Sequence, residues 1–429
     1  MKKSLTETLN KLNKEIGLGK ILGIKELAKI LKEITLRELK PGGPYQELNE
    51  KNPSAKLNLA IFEFLKTQGV SLPNLTKFLK ENNLIKTEFE ELDVNKKFNS
   101  KETVAEKEER EEIEKIFKLA KTELLGLDKN LVLELINTLK ITAKNNPDKQ
   151  MLLMPFYFYK SLGLKPNKKR SELITKFGLI NAYFWTAFII YDDFWDEDEK
   201  ASPGLLPLAN LMSRELFNFY FSFFRNYQGY NNYLKNLLNE ADSANYFETK
   251  NCRFLKPIKN LPLDLEKIKL VDYGDYEIKF FPAATHTLGP LAIMADLGFK
   301  IDDREIKSLE KFFCHYLIAR QLNDDLHDYK EDLKRGHLSP VVNETLREAR
   351  VQGLNLINEE DLAKIFWLRT LKTLAMRIIK EVNIAEKELK KIKTIKNPEL
   401  LLKFCRLSKS SALKALKERE ASLAFIKEL

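Results

Sequence analysis

The chain has 429 residues, 44% of them hydrophobic, enough to bury one large core and still carry an appendage. Its formal charge of +10 is interleaved, as in the Lys-Glu-Glu-Arg-Glu-Glu-Ile-Glu-Lys run at 107–115, which describes a solvated helical surface and argues against nucleic acid as a partner. Cys252, Cys314 and Cys405 show no metal or redox spacing, the start has no signal-peptide core, and no apolar run reaches the roughly 18 residues of a membrane span; a cytoplasmic protein without a transmembrane segment is expected.

In chain order, Ser4 and Glu7 form a capping-box pattern ahead of Leu5, Leu9, Leu12 and Ile16 on one helical face. A second amphipathic helix places Ile24, Leu27, Ala28, Leu31 and Ile34 opposite Lys25, Lys29 and Lys32, and stops before Pro41-Gly42-Gly43-Pro44. Short helices are expected at 55–69 and 73–83, then a polar linker from Glu88 to Thr103. This separates an N-terminal helical appendage, 1–100, whose role the sequence does not reveal, from a main domain, 101–429. Ile113, Ile116, Phe117, Ala120 and Leu124 open the main domain, and a helix over 127–143 is closed by Asn145-Asn146-Pro147. From there nearly every segment has helical period and none alternates as a strand would; only 255–269, with two prolines, reads as a longer loop. Pro282 and Pro290 are expected to kink the helix that contains them. The fold class is all-α: buried central helices surrounded by amphipathic ones.

Two stretches carry the chemistry. In Ala-Phe-Ile-Ile-Tyr-Asp-Asp-Phe-Trp-Asp-Glu-Asp, 187–198, an apolar helical run ends in Asp192 and Asp193, with Asp196 one turn on. Carboxylates at i and i+4 share a helix face about 5–6 Å apart, so Asp192 and Asp196 point the same way. Like charges at the mouth of an apolar segment repel and resist desolvation unless a cation neutralises them, and a hard divalent cation suits oxygen ligands. The pattern returns in 321–337, where Asp324, Asp328 and Asp332 form a stripe at i, i+4 and i+8 and Asp325 repeats the double Asp. One D-D-x-x-D run alone would read as a solvated helix face. Two, each following an apolar helix, read as a pair of facing carboxylate helices. Such a pair can hold magnesium bridged by a diphosphate, whose departure leaves a carbocation in need of a dry, aromatic cavity. No His-Glu-x-x-His, P-loop, nucleophile elbow or dinucleotide glycine pattern occurs. Among His286, His315, His327 and His337 none has ligand spacing, and His286 and His315 read as core or wall residues.

Two Asp-rich helix ends in an all-α chain resemble the class I isoprenoid synthases, most of all the trans-polyprenyl diphosphate synthases, over about residues 105–429. The resemblance implies a helical bundle with a central apolar cavity, Mg2+ as cofactor and prenyl diphosphates as substrates. It also implies a homodimer, as members often form. By it, Asp192 and Asp196, with Asp193 behind them, and Asp324 with Asp328 hold the metals; Asp325 completes the catalytic carboxylates. Gln321, Lys279 followed by Gly289, and Lys334 with Arg335 match residues that touch or close over the diphosphate. Where the family carries Gly-Gly-Lys-Arg-x-Arg-Pro, this chain reads 146–151 Asn-Pro-Asp-Lys-Gln-Met, leaving Lys149 alone. Where the family has Arg-Arg after the first motif, it has Lys200-Ala201, a point charge in place of a fork. Phe184 and Phe188, on the turns before Asp192, would floor the cavity and give short products.

Elongation of an allylic diphosphate with isopentenyl diphosphate is the first reading. The stretch 328–340, Asp-Tyr-Lys-Glu-Asp-Leu-Lys-Arg-Gly-His-Leu-Ser-Pro, is also similar to the D-x-x-E-D-x-x-R-G-R stretch of squalene and phytoene synthases. Head-to-head condensation is therefore the second reading and terpene cyclisation, from Asn323-Asp324, the third. A non-catalytic prenyl-diphosphate-binding subunit is the rival outside enzymology.

Overall fold

A computed structural model describes residues 103–428, apart from 125, 166, 196–200 and 254–261. The helices expected at 4–16, 24–34, 55–69 and 73–83, the linker up to 102, Asp196 and Lys200 lie outside the described residues. Val104–Leu429 forms one compact unit.

The described residues of this unit are overwhelmingly helical. In chain order the helices are α1 (Val104–Glu123), α2 (Lys129–Lys144), α3 (Gln150–Ser161), α4 (Lys168–Trp195), α5 (Leu206–Phe224), α6 (Tyr230–Asn251), α7 (Leu288–Asp296), α8 (Arg304–Arg335), α9 (Pro340–Val351), α10 (Glu359–Ile365), α11 (Leu371–Leu389) and α12 (Glu399–Glu428). The one sheet among the described residues pairs β1 (Leu263–Asp264) antiparallel with β2 (Leu356–Ile357), Leu263 opposite Ile357 and Asp264 opposite Leu356. A ladder of two residues is too short to show alternation, so part of the expected loop at 255–269 is strand.

α4 is the spine. Its 28 residues span about 42 Å, and residues on every face are buried, Phe177 through Tyr183 without interruption. A helix apolar all round belongs inside a protein, and α4 packs against α1, α2, α3 and α5. It is also long and apolar enough to cross a membrane by length and composition, contrary to the expectation that no segment is; but 72% of its most apolar window is buried by the other helices. The second long helix, α8, packs on α9, α11 and α12.

α3 and α4 are locked by one polar device. Pro155 inside α3 has no N–H, so the carbonyl of Met151, four residues back, loses its helical donor. Asn181 of α4 supplies the replacement: its Nδ2 donates to Met151 O at 2.9 Å and to Gln150 O at 3.3 Å. Between 272 and 296 the chain differs from a kinked α-helix. Pro282 opens a 3-10 segment, Phe281–Thr287, and only from Leu288 does the α-helix form. Lys279 consequently sits on its own 3-10 turn, Glu277–Lys279, started by Tyr276 at φ 65°.

Two apolar clusters make the core. The larger surrounds α4; the smaller gathers Cys252, Val271, Tyr273, Tyr329, Leu338 and Val342 by the end of α8. Leu326 and Tyr276 pack against both. Asp325, next to Leu326, and Lys279, one turn past Tyr276, stand at this junction and lie 3.5 Å apart.

Candidate active site

At that junction four elements deliver charge. Asp192 comes from the last turn of α4, Glu248 and Arg253 from the end of α6, Lys279 from its 3-10 turn, and Asp325, Asp332 and His337 from the end of α8 and its exit. The chain turns back after α8 because Gly336 adopts φ 77°, a left-handed cap that suits glycine. His337 N then donates to Asp332 O at 2.8 Å, which folds the imidazole over the helix end.

The contacts form one continuous network. Arg253 Nη2 lies 3.4 Å from Asp192 Oδ1 and 3.5 Å from Glu248 Oε1. Lys279 Nζ lies 3.8 Å from Glu248 Oε1 and 3.5 Å from Asp325 Oδ1. His337 approaches Glu248 Oε1 at 3.1 Å through Nε2 and Asp332 Oδ1 at 3.4 Å through Nδ1. Asp192, which opens the first Asp motif, is thus joined to Asp325 of the second through Arg253, Glu248 and Lys279.

The electrostatics show a site rich in negative charge. Burial pushes the Asp325 carboxyl up to about 7, against the pull of Lys279. Burial opposes the Lys279 ammonium, yet Asp325 and Glu248 outweigh it and hold its pKa above the ordinary lysine range. Burial works to raise Glu248 too, but Lys279 and His337 bring it down to about 2. Asp192 is raised by loss of water, with Arg253 opposing. Asp324 is raised by loss of water, against Arg320; Asp328 is raised by loss of water and by Asp332 and Asp324.

Not every expected residue joins this network. Asp324 and Asp328 are exposed on the neighbouring face of α8, and Asp324 lies 3.9 Å from Arg320 Nε. Arg320 in turn lies 3.7 Å from Asp148 and its guanidinium stands 5.8 Å over the Trp185 ring. Asp193, a residue further round α4, lines a different groove of about 580 Å3, with Thr186, Ile189, Ile190 and Leu205. Lys149 stands at the N-cap of α3 with φ 58° and pairs with Glu109 at 2.8 Å. Gln321 is half-buried on α8, Lys334 is exposed in its last turn, and Arg335 pairs with Glu331 at 3.8 Å while lying close enough to Arg253 to repel it.

Beside Asp192 a cavity of about 510 Å3 opens, lined by Phe184, Phe188, Tyr191 and Trp195 from α4, with Leu216, Tyr246 and others opposite. The rings form a connected wall: Phe184 and Phe188 are 6.0 Å apart, Phe188 and Trp195 6.1 Å, Tyr191 and Trp195 6.3 Å. Both aromatic residues expected to floor a cavity line this one.

Arg253, Glu248 and Arg320 escape sequence reasoning, because they stand outside any motif and only tertiary packing, of α6 on the 281–287 segment and of α8 on its neighbours, brings them in. Asp332 and His337 were signalled by the 328–340 stretch. His286 is a core residue, as expected. It is fully buried, its Nδ1 accepts from Trp185 Nε1 at 2.9 Å, and burial lowers its pKa to about 3.

No protein-family model matches the chain, and no curated protein matches it. Among solved structures it is similar to a geranylgeranyl pyrophosphate synthetase from the archaeon Geoglobus acetivorans, with a TM-score of 0.49 and 16% identity, over 70% of this chain and 98% of that one.

Proposed function

We propose that the chain is a magnesium-dependent prenyltransferase that extends an allylic prenyl diphosphate with isopentenyl diphosphate to a short product. One observation carries the reading: an acid-rich site that takes in Asp192 of the first Asp motif and Asp325 of the second opens beside an aromatic cavity of about 510 Å3. Charge chemistry beside a ring-lined chamber is what ionisation of an allylic diphosphate requires.

The residues fit magnesium. The donors are carboxylate oxygens, three of them, Asp192, Asp324 and Asp328, with pKa values raised, and Asp325 Oδ2 is buried with no hydrogen-bond partner. No group of three His, Cys, Asp or Glu side chains placed to hold a metal ion by themselves occurs among the described residues. Magnesium commonly takes one or two carboxylates, with waters and substrate phosphates filling the remaining positions. Asp192, with Asp196 outside the described residues, and Asp324 with Asp328 would hold it. When bound, it draws charge from the diphosphate and makes it a better leaving group. Lys279, Arg253 and Arg335 hold diphosphate oxygens, Phe184 and Phe188 bound the chain, and the rings of α4 exclude water and face the cationic carbon. The wider reading is of a cytoplasmic enzyme.

Head-to-head condensation of two allylic diphosphates is the second reading. Its support is that Asp332 and His337, both from the 328–340 stretch, enter the network while Asp324 and Asp328 face outward.

Product analysis by mass spectrometry decides. With magnesium and an allylic diphosphate, a longer diphosphate formed only when isopentenyl diphosphate is added establishes elongation. A hydrocarbon or cyclopropyl product from the allylic substrate alone moves the chain to head-to-head condensation or cyclisation. No turnover in either mixture favours the binding subunit. Asp192→Ala and Asp324→Ala are each expected to lose several orders of magnitude in rate with the fold intact, and near-normal turnover in either sinks the assignment.

A further inference from the structure

Among the described residues two that are not glycine adopt a positive φ, and one of them, Tyr276, starts the turn that carries Lys279. The left-handed region is disfavoured for a residue with a Cβ and persists where its surroundings over-determine it. Arg377 of α11 grips this corner from two sides. Its Nη2 donates to Asp275 O at 2.7 Å, which fixes the peptide entering Tyr276, and its guanidinium stands 5.3 Å over the Tyr276 ring. Past the corner, Lys279 N donates to Tyr276 O and Phe280 N to Glu277 O, each at 2.9 Å. Arg377 is itself oriented by Glu381, one turn along α11 and only 1% exposed. Glu381 Oε1 lies 2.6 Å from Arg377 Nε, an ion pair without hydrogen-bond alignment, and Oε2 lies 2.6 Å from Nδ1 of His315 on α8. A carboxylate this deep is stable only beside compensating groups. Glu381 thus ties α8, which carries Asp325, to the turn that carries Lys279.

We infer that Arg377 is a positioning residue: oriented by Glu381, it keeps Tyr276 left-handed, so that the Lys279 ammonium stays inside the site, 3.5 Å from Asp325 and 3.8 Å from Glu248. Without the guanidinium, Tyr276 relaxes to negative φ, the 3-10 turn opens, and Lys279 swings away from both carboxylates. The hold on the turn stands on geometry alone. Its consequence, weaker diphosphate binding, rests on the prenyltransferase reading, in which Lys279 holds diphosphate oxygens. Arg377 then acts on the ligand only through Lys279.

Two measurements on the full chain separate the hold from its consequence: hydrogen exchange read by mass spectrometry, and calorimetric titration of inorganic diphosphate in magnesium chloride. Arg377→Met alone would leave Glu381 buried without its cation, so it is combined with Glu381→Gln and the fold is checked by circular dichroism. This double variant is expected to exchange about tenfold or more faster over 276–280 while α4 keeps its protection. It is also expected to bind diphosphate about tenfold more weakly than wild type. Adding both substitutions to Lys279→Met is expected to cost no further affinity, because a residue that acts through Lys279 has nothing left to position. Unchanged exchange over 276–280 overturns the inference. So does a further loss of affinity on the Lys279→Met background, since Arg377 would then act by another route. If exchange quickens as expected but wild type binds no diphosphate in magnesium, the hold on the turn stands and the prenyltransferase reading falls.

Discussion

His286 shows how burial decides what a titratable residue does. Its ring is enclosed by Trp185, Asn181 and Phe313, and its Nδ1 accepts hydrogen bonds, so only the neutral form fits. Burial, aided by the charge of Arg320, keeps that ring neutral down to about pH 3, whereas a histidine in the unfolded chain takes its proton near pH 6.5. Between those values the unfolded chain binds more protons. The contribution of His286 to stability is therefore complete above about pH 6.5 and is lost as pH falls toward 3. By pH 5 the loss is about 1–2 kcal/mol. Urea unfolding at pH 7 and pH 5 should show this, and His286→Gln, which retains an acceptor for Trp185, should flatten the difference. An unchanged slope would place the acid sensitivity elsewhere, in the carboxylates around Lys279. The same physics acts with opposite sign on Asp325: burial raises its pKa, and the Lys279 ammonium, 3.5 Å away, opposes the rise.

At the scale of an element, α4 does two things at once: it fills the core and delivers Asp192 to the site. Its close seating depends on Gly178. A Cβ there would stand 2.7 Å from Ile116 Cδ1 and 2.9 Å from the main-chain oxygen of Leu152. The isoleucine can rotate; the carbonyl of α3 cannot move without disturbing the helix behind Pro155. Gly178→Ala is therefore expected to destabilise by about 1–3 kcal/mol despite the better helix propensity of alanine. The expected observation is a lower urea midpoint at unchanged m-value. A midpoint equal to or above that of wild type would show that α3 and α4 are not locked at this point. α8 is likewise divided by its own geometry. Asp325 and Asp332, seven residues apart, share the buried face; Asp324 and Asp328, one turn apart, share an exposed one. The sequence stripe of three aspartates is thus split between two environments.

At the scale of the whole molecule, the cavity is the product of packing, since α4, α5, α6 and the 3-10 segment at 281–287 each contribute part of its wall. Phe188 projects into it, half-buried, with its ring among Phe184, Trp185 and Trp195. Phe188→Ala should enlarge the chamber and shift products to longer chains by mass spectrometry; unchanged length would remove Phe188 from the chain path. Much of this was legible beforehand. Helical period, the Asn145-Asn146-Pro147 stop and the apolar run into Asp192 determined an all-α chain with acid-tipped central helices, because hydrophobic spacing and prolines act locally and are written in consecutive residues. The ring wall before Asp192 followed from the same spacing. Which carboxylate turns inward, that Lys279 rides a 3-10 turn, and that Arg253 closes the gap between the motifs were decided only by the tertiary structure. Those outcomes depend on which helix faces meet across the junction of the two cores, and on how much water is left to each charge once they have met.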